Sequence, residues 1–500
     1  MSRRNGGIIG PTNTPVGGLF KGVAGGVWRM NDVLTFVSNN QWPSGPQSID
    51  NSCRFNDGDS PTLSRTPSSS GNRKTWTWSG WVKKCTLGSG YQFVFGATDA
   101  STSTGSIGTN YNGDNVIYFR DDLISLNLTP NAVFRDTSAW YHIVVALDTT
   151  QSTASDRAKM YINGTQITSF ATANYPNQDT EGSINLVSGS YVHRIGTYSG
   201  SSNFFDGYMA EVVFIDGQAL DPTSFGEFDT TTGIWKPKKI GAFASAGDNS
   251  FYLDFKDSST LGNDASGLNN DFTVSGLTSL DQTTDTCVVN YPTMLPIGSY
   301  KAQTAAYSEG NLKVDNIDNQ DNSLSSFALS SGKWYFETKI NDSYGYTFIG
   351  LFPTSLSYIQ TDIYERTGYW GYYGANGQKR VNGSASSYGN SFGQNDIIGM
   401  AIDLDNDKLY FSKNGTFQDS GDPTSGSTGT GAISLSTYDE WRICYGFGSG
   451  TNGTTVSVNF GNPIHSISSG NSDANGFGNF EYAVPSGYYA INTTNLNTYG

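Results

Sequence analysis

The stretch Asp396–Phe417, DIIGMAIDLDNDKLYFSKNGTF, decides the fold class. Its apolar residues alternate with small or polar ones, the period of two that a strand with one buried face requires. Turn formers interrupt the alternation at Asp405-Asn406-Asp407 and at Lys413-Asn414-Gly415, so the segment predicts two adjacent hairpins. A second signal of the same kind, KMYINGTQI at 159–167, lies far upstream. Asn163-Gly164 asks for a type I′ turn, because both central residues need positive φ. Two hairpin signals so far apart predict an all-β chain of two antiparallel sandwiches (jelly rolls) in series.

Composition supports this expectation. Single cores seldom grow past about 250 residues, so a chain of 500 divides into domains. Aromatic residues make up 13% and charged residues only 15%, enough ring mass to fill short strands and too little charge for a disordered polar tract. The balance of 29 basic against 44 acidic residues, −15 overall, argues against nucleic-acid binding and against attachment to anionic membranes. Cys53, Cys85, Cys287 and Cys444 are widely spaced, with no CxxC pair, and are expected as free thiols of a protein made in a reducing cytoplasm. Arg3 and Arg4 precede no apolar run, so no signal peptide is expected, and no stretch reaches the ~18–20 apolar residues of a transmembrane helix.

Along the chain, residues 1–45 read as an extended Gly- and Pro-punctuated arm ending in a short helix between Asn31 and Pro43. The first sandwich is expected over 46–235, with strands at 76–84, 91–97, 115–120, 140–148, 159–167, 192–199 and 208–217. Residues 236–305 read as a linker wrapping over it. The second sandwich is expected over 306–465, with strands at 333–340, 345–353, 397–405, 408–414, 441–449 and 454–461. Residues 365–396 and 416–440 read as long polar loops between its strands, and 466–500 as a covering tail. No heptad repeat is present.

The chain lacks HExxH, GxSxG, GxxxxGK[ST] and strand-following GxGxxG motifs. His142, His193 and His465 are dispersed, and the first two fall in strands as structural residues. Glu211 and Asp216 are the nearest candidates for a glycosidase pair, but a retaining enzyme needs carboxyls about 5 Å apart, and residues five apart on a regular strand face opposite ways. Asp403, Asp405 and Asp407 imitate an EF-hand opening; Lys408 at the required glycine and Asn414 at the required glutamate defeat it. No metal or cofactor is therefore expected, although Asp-rich loops such as 111–115 offer calcium some oxygens. What remains is a group of aromatics in and beside 365–396. Tyr369, Trp370 and Tyr373 are expected to contact a ligand, with Arg366 and Arg380 bonding its hydroxyls; the competing interpretation has these rings cover the open end of the sandwich.

Here the residues carry a family likeness. Residues 70–235, through WTWSGWVK, WYHIVVALDTT, KMYINGTQI and FFDGYMAEVVFIDGQAL, resemble the laminin-G/concanavalin-like domain of phage structural proteins. Residues 306–465, through SSGKWYFETKI, TFIGLF, DIIGMAIDLDNDKLYFSKNGTF and WRICYGFG, resemble a SPRY domain. GGIIGPTNTP with GVW and NNQWP looks like the opening of marine bacteriophage tail-fibre or other virion proteins. The resemblance implies a non-enzymatic virion protein made in the host cytoplasm: a tail fibre or receptor-binding protein attaching to a host surface glycan or protein. Its alternatives are a capsid decoration or head-fibre protein held by another virion subunit, or a polysaccharide-degrading enzyme. It further implies contacts with other phage virion proteins and a homo-oligomer such as a trimer, with Trp28 and Trp42 anchoring the arm.

Overall fold

The computed structural model describes residues 49–500 apart from 89, 99–103, 112, 188–190, 241–245, 297–304, 316–321, 342–346, 357–366, 436–437 and 448–453. The arm, with Trp28 and Trp42, lies outside the described residues, as does Arg366. The chain forms two β-sandwiches in series, as its hairpin signals predict.

In the first sandwich, one sheet runs in the order 165–166, 158–162, 140–148, 75–84, 207–216, 52–55, 282–283, with 251–253 also pairing 207–216. The facing sheet runs 170–174, 126–130, 118–121, 104–110, 92–98, 192–195, 62–65, 273–275. Residues 251–253, 273–275 and 282–283 thus bring strands into both sheets from the stretch expected as a linker. The alternation read from sequence holds in detail. Trp76, Trp78 and Val82 enter the core between the sheets, with Ile143, Val145 and Leu147 beside them. Trp81 falls on the opposite face and is still buried, packed with Trp140, Tyr208 and Trp235. The hairpin Gly226–Phe228 with Trp235–Pro237 places Trp235 over that face, which explains why a tryptophan interrupts the polar side of this strand.

The Asn163-Gly164 turn has φ of 48° and 76°, the type I′ geometry. His142 lies beneath it. Its Nδ1 accepts from Trp235 Nε1 at 3.0 Å, which assigns the remaining proton to Nε2, donated to Ser79 Oγ at 2.9 Å. Burial holds this imidazole neutral, down to about 3.

The second sandwich opposes two sheets. The nine-stranded sheet runs 306–308, 313–315, 455–459, 333–340, 397–403, 408–413, 416–417, with 433–434 on 408–413 and 489–490 on 333–340. The six-stranded sheet runs 322–329, 441–447, 347–353, 370–373, 378–381, 384–387. Asn414 and Gly415 have φ of 48° and 78°, so the opening stretch makes the two hairpins its sequence predicts. Its aspartates serve the turns: Asp403 accepts from Lys333 Nζ at 2.7 Å, and Asp405 from Gly332 N at 2.8 Å. The tail covers the outer face of the nine-stranded sheet. Tyr489–Ala490 pairs in parallel with Trp334–Tyr335, Phe480 meets the Tyr335 ring edge-on, and Glu337 accepts from Glu481 N and Tyr482 N at 2.8 Å each.

One expectation is corrected. Residues 365–396 are not a continuous loop, because Trp370–Tyr373, Gln378–Val381 and Ser384–Ser387 are strands. Asn382-Gly383, with φ of 53° and 84°, turns the last pair, using the same dipeptide signal that was read at 163 and 414.

Candidate functional site

The strand Trp370–Tyr373 sorts the predicted ligand-binding aromatics by parity. Trp370 points inward, with its ring edge-on to Trp441 at 5.1 Å, and is 2% exposed. Tyr369 is buried on the outer face with Phe348, Phe352 and Cys444. Direct ligand contact by Tyr369 or Trp370 is therefore corrected: both complete the packing of the sheet, as the competing interpretation held for single residues. Sequence could not separate them from surface rings, because a glycine-rich context hides which face of a strand is covered.

Tyr373 and Arg380 are brought together. Tyr373 is half-buried on the outer face and stacks on Phe348 with centroids 3.9 Å apart and planes 4° from parallel. The half-buried Arg380 holds its guanidinium 6.0 Å from the Tyr373 ring. The backbone explains the proximity: Gly350 pairs with Gly371, and Gly371 with Arg380. A Cβ on Gly371 would lie 2.4 Å from Tyr369 Oη and one on Gly350 2.1 Å from Trp370 O, so Gly371 leaves room for the Tyr369 ring and Gly350 for the close approach of the neighbouring strand. Phe348, which the sequence reading did not single out, is the missing partner; its signal is the alternation in Thr347–Pro353, which gives Phe348 the parity of the outer face. The result is a layered Phe348–Tyr373–Arg380 surface that combines an apolar ring with a fixed cation.

The first sandwich carries a polar cavity of about 390 Å³ lined by Arg65, Thr66, Ser68, Asn269 and Asp271. Arg65 Nη2 donates to Asn270 Oδ1 and, at 3.4 Å, to Asn249 Oδ1. Glu211 and Asp216 do not converge. Glu211 is the extra residue of a β-bulge, with φ of 51°, and accepts from Tyr252 Oη at 2.7 Å on the outer side. Asp216 accepts from Asn72 N and Asn185 Nδ2 at the end of the sandwich. Among the described residues, no group of three or more His, Cys, Asp or Glu side chains converges as a metal site, and no helix is long and apolar enough to cross a membrane. The four cysteines are free thiols.

Comparison with known proteins assigns the two sandwiches. Residues 57–224 match the model of the concanavalin A-like lectin/glucanases superfamily, and residues 333–434 match that of the SPRY domain. The chain carries a concanavalin-like sandwich followed by a SPRY sandwich. Curated relatives include a probable ATP-dependent RNA helicase ddx1 of Dictyostelium discoideum, 39% identical over 88 residues. The ATP-dependent RNA helicase Ddx1 of Drosophila melanogaster is 35% identical over 85 residues. Each match takes in 17% of this chain and 11% of the relative, so this chain spans about a ninth of the length of these proteins. Similar solved structures include the SPRY domain of human HERC1, at 20% identity and a TM-score of 0.27, covering 33% of this chain and 96% of that one. The TRIM65 PSpry domain is similar at 16% identity and a TM-score of 0.27, covering 34% and 92%.

Proposed function

We propose that this protein is a non-enzymatic bacteriophage virion protein, a tail fibre or receptor-binding protein, that attaches the particle to a host surface glycan or protein. The observation that supports the reading best is the Phe348–Tyr373–Arg380 surface on the SPRY sandwich. The half-exposed Tyr373 ring, stacked on Phe348, offers its edge to a sugar ring or an apolar side chain, and the guanidinium over it donates to a hydroxyl, carbonyl or carboxylate. Residues 1–45, with Trp28 and Trp42, dock the chain on the particle. A homo-oligomer, a trimer in the simplest case, converts weak single contacts into avidity.

Adsorption competition with the purified full-length chain tests this. The wild-type protein is expected to bind host cells and to slow adsorption of the phage that carries it, and the Y373A/R380A double variant to lose both effects while keeping its thermal transition. A folded wild-type chain that neither binds cells nor competes sinks the receptor-binding reading. The decoration alternative draws support from the fully exposed edge strand Ser384–Ser387, whose open backbone groups suit pairing with another subunit. In that case the chain binds purified particles and leaves host cells untouched.

A further inference from the structure

Between the two sandwiches, Leu280, Gln282 and Thr284 on one side and Asn462, His465 and Ile467 on the other enclose a cleft of about 450 Å³, within the roughly 300–1,000 Å³ range of small-ligand sites. It is mixed in character and carries no charge: among the described residues that line it there is no Lys, Arg, Asp or Glu. Asn462, His465 and Ser466 supply polar groups, and Leu280, Pro463 and Ile467 supply apolar ones.

Asn462 is 2% exposed, yet neither its amide nitrogen nor its oxygen meets a hydrogen-bond partner among the described residues. Both ring nitrogens of His465 are in the same position. Buried polar groups are ordinarily satisfied, so an amide and an imidazole on one cleft call for a ligand bearing donors and acceptors side by side. Burial and the nearby Lys339 hold His465 down to about 4, so at neutral pH the ring offers one donor and one acceptor.

We propose that this interdomain cleft binds a neutral polyhydroxylated ligand, a single saccharide unit, with Asn462 bridging two adjacent hydroxyls. The carboxamide presents its donor and acceptor on the same side, matching a vicinal diol. A trans peptide unit points its N–H and C=O in opposite directions and cannot satisfy both atoms at once. The apolar residues meet the C–H face of the sugar ring, and the uncharged lining disfavours acidic and amino sugars, whose charge would lie unpaired. The site is separate from the Tyr373–Arg380 surface and does not depend on the virion reading.

Histidine-selective ¹⁵N labelling of the full-length chain provides the test, because the chain has three histidines. His142 and His193 are buried in the first sandwich and serve as internal controls. Titration with methyl α-D-glucoside, methyl α-D-mannoside, methyl β-D-galactoside and N-acetylglucosamine is expected to shift the His465 ring signals saturably with at least one sugar, leaving the other two unmoved. Asn462→Leu, which breaks no side-chain hydrogen bond among the described residues, is expected to keep the thermal transition and weaken binding about tenfold or more. Ser466→Tyr, at an exposed lining position, is expected to block the cleft by bulk and guards against a misfolded first variant. The proposal is overturned by silence of His465 to all four sugars at tens of millimolar. Binding unchanged in both variants, or a response to glucuronate or N-acetylglycine N-methylamide, which has only secondary trans amides, as strong as to any neutral sugar, also overturns it.

Discussion

Trp370 and Tyr373 lie three residues apart on one strand, so parity sends them to opposite faces of the sheet. Trp370→Ala removes a ring enclosed by Trp441 and Tyr438 and is expected to cost about 3–5 kcal/mol in urea denaturation. Tyr373→Ala gives up the stack on Phe348, about 1 kcal/mol, is expected to cost less than Trp370→Ala, and is expected to weaken ligand binding. A loss from Tyr373→Ala as large as that from Trp370→Ala would place both in the core. Glu211 illustrates a second kind of residue. Burial raises its carboxyl to about 7, against the lowering effect of the Tyr252 hydroxyl. A folded value above the unfolded one means that Glu211 contributes stability fully present below pH ~4.5 and lost as pH rises through ~7, with a slope of up to about 1.4 kcal/mol per pH unit. Glu211→Gln is expected to remove this slope, visible when unfolding free energies of the two proteins are compared from pH 5 to pH 8. Parallel profiles would show that the carboxyl already ionises at its usual value.

At the scale of elements, the Asn-Gly dipeptides set the register of three hairpins, and the turns at 163 and 414 also meet a tertiary neighbour. A Cβ on Gly164 would lie 2.2 Å from the Trp235 ring, and one on Gly415 2.5 Å from the Tyr482 ring. Gly164→Ala is therefore expected to destabilise the first sandwich by more than the ~1 kcal/mol of a backbone penalty alone, since it also lifts Trp235 from His142. A tryptophan fluorescence change preceding global unfolding checks this, and a purely local cost with unchanged fluorescence would contradict it. The hairpins at 163 and 414 were legible because the dipeptide sits between alternating strands. The one at 382 was not, because the polar strand Gln378–Val381 and the serine-rich Ser384–Ser387 leave no apolar alternation beside it. Strands such as Thr104–Asn110, TGSIGTN, were illegible for the same reason: their burial comes from covering side chains of other segments.

Across the whole molecule, residues 281–296 and 305–311 pack the sandwiches together. Lys83 Nζ meets Asp285 Oδ2 at 2.8 Å with both side chains fully buried, and the lysine also donates to Asn290 Oδ1 and Tyr291 O. Tyr291 itself belongs to the core of the second sandwich. Tyr208 Oη donates to Gly310 O at 3.0 Å, and Asn311 Nδ2 to Cys85 O at 2.9 Å. Asp285→Leu leaves the Lys83 charge buried without its partner and is expected to cost about 3–5 kcal/mol; adding Lys83→Met is expected to restore much of that loss. Calorimetry of the wild-type chain is expected to show the sandwiches unfolding together, and Asp285→Leu to separate them into two transitions. Two well-separated transitions in the wild type would show that this junction transmits little. Alternation and turn chemistry are local properties of the chain, and they alone determined the all-β class, the tandem sandwiches and the hairpins at 163 and 414. Which rings lie under a covering segment, which strands 251–283 add to the first sandwich and where Asn462 and His465 come to lie are set by contacts between segments remote in sequence. Those contacts are decided only when the sheets close and water is excluded between them, so only the tertiary structure settled them.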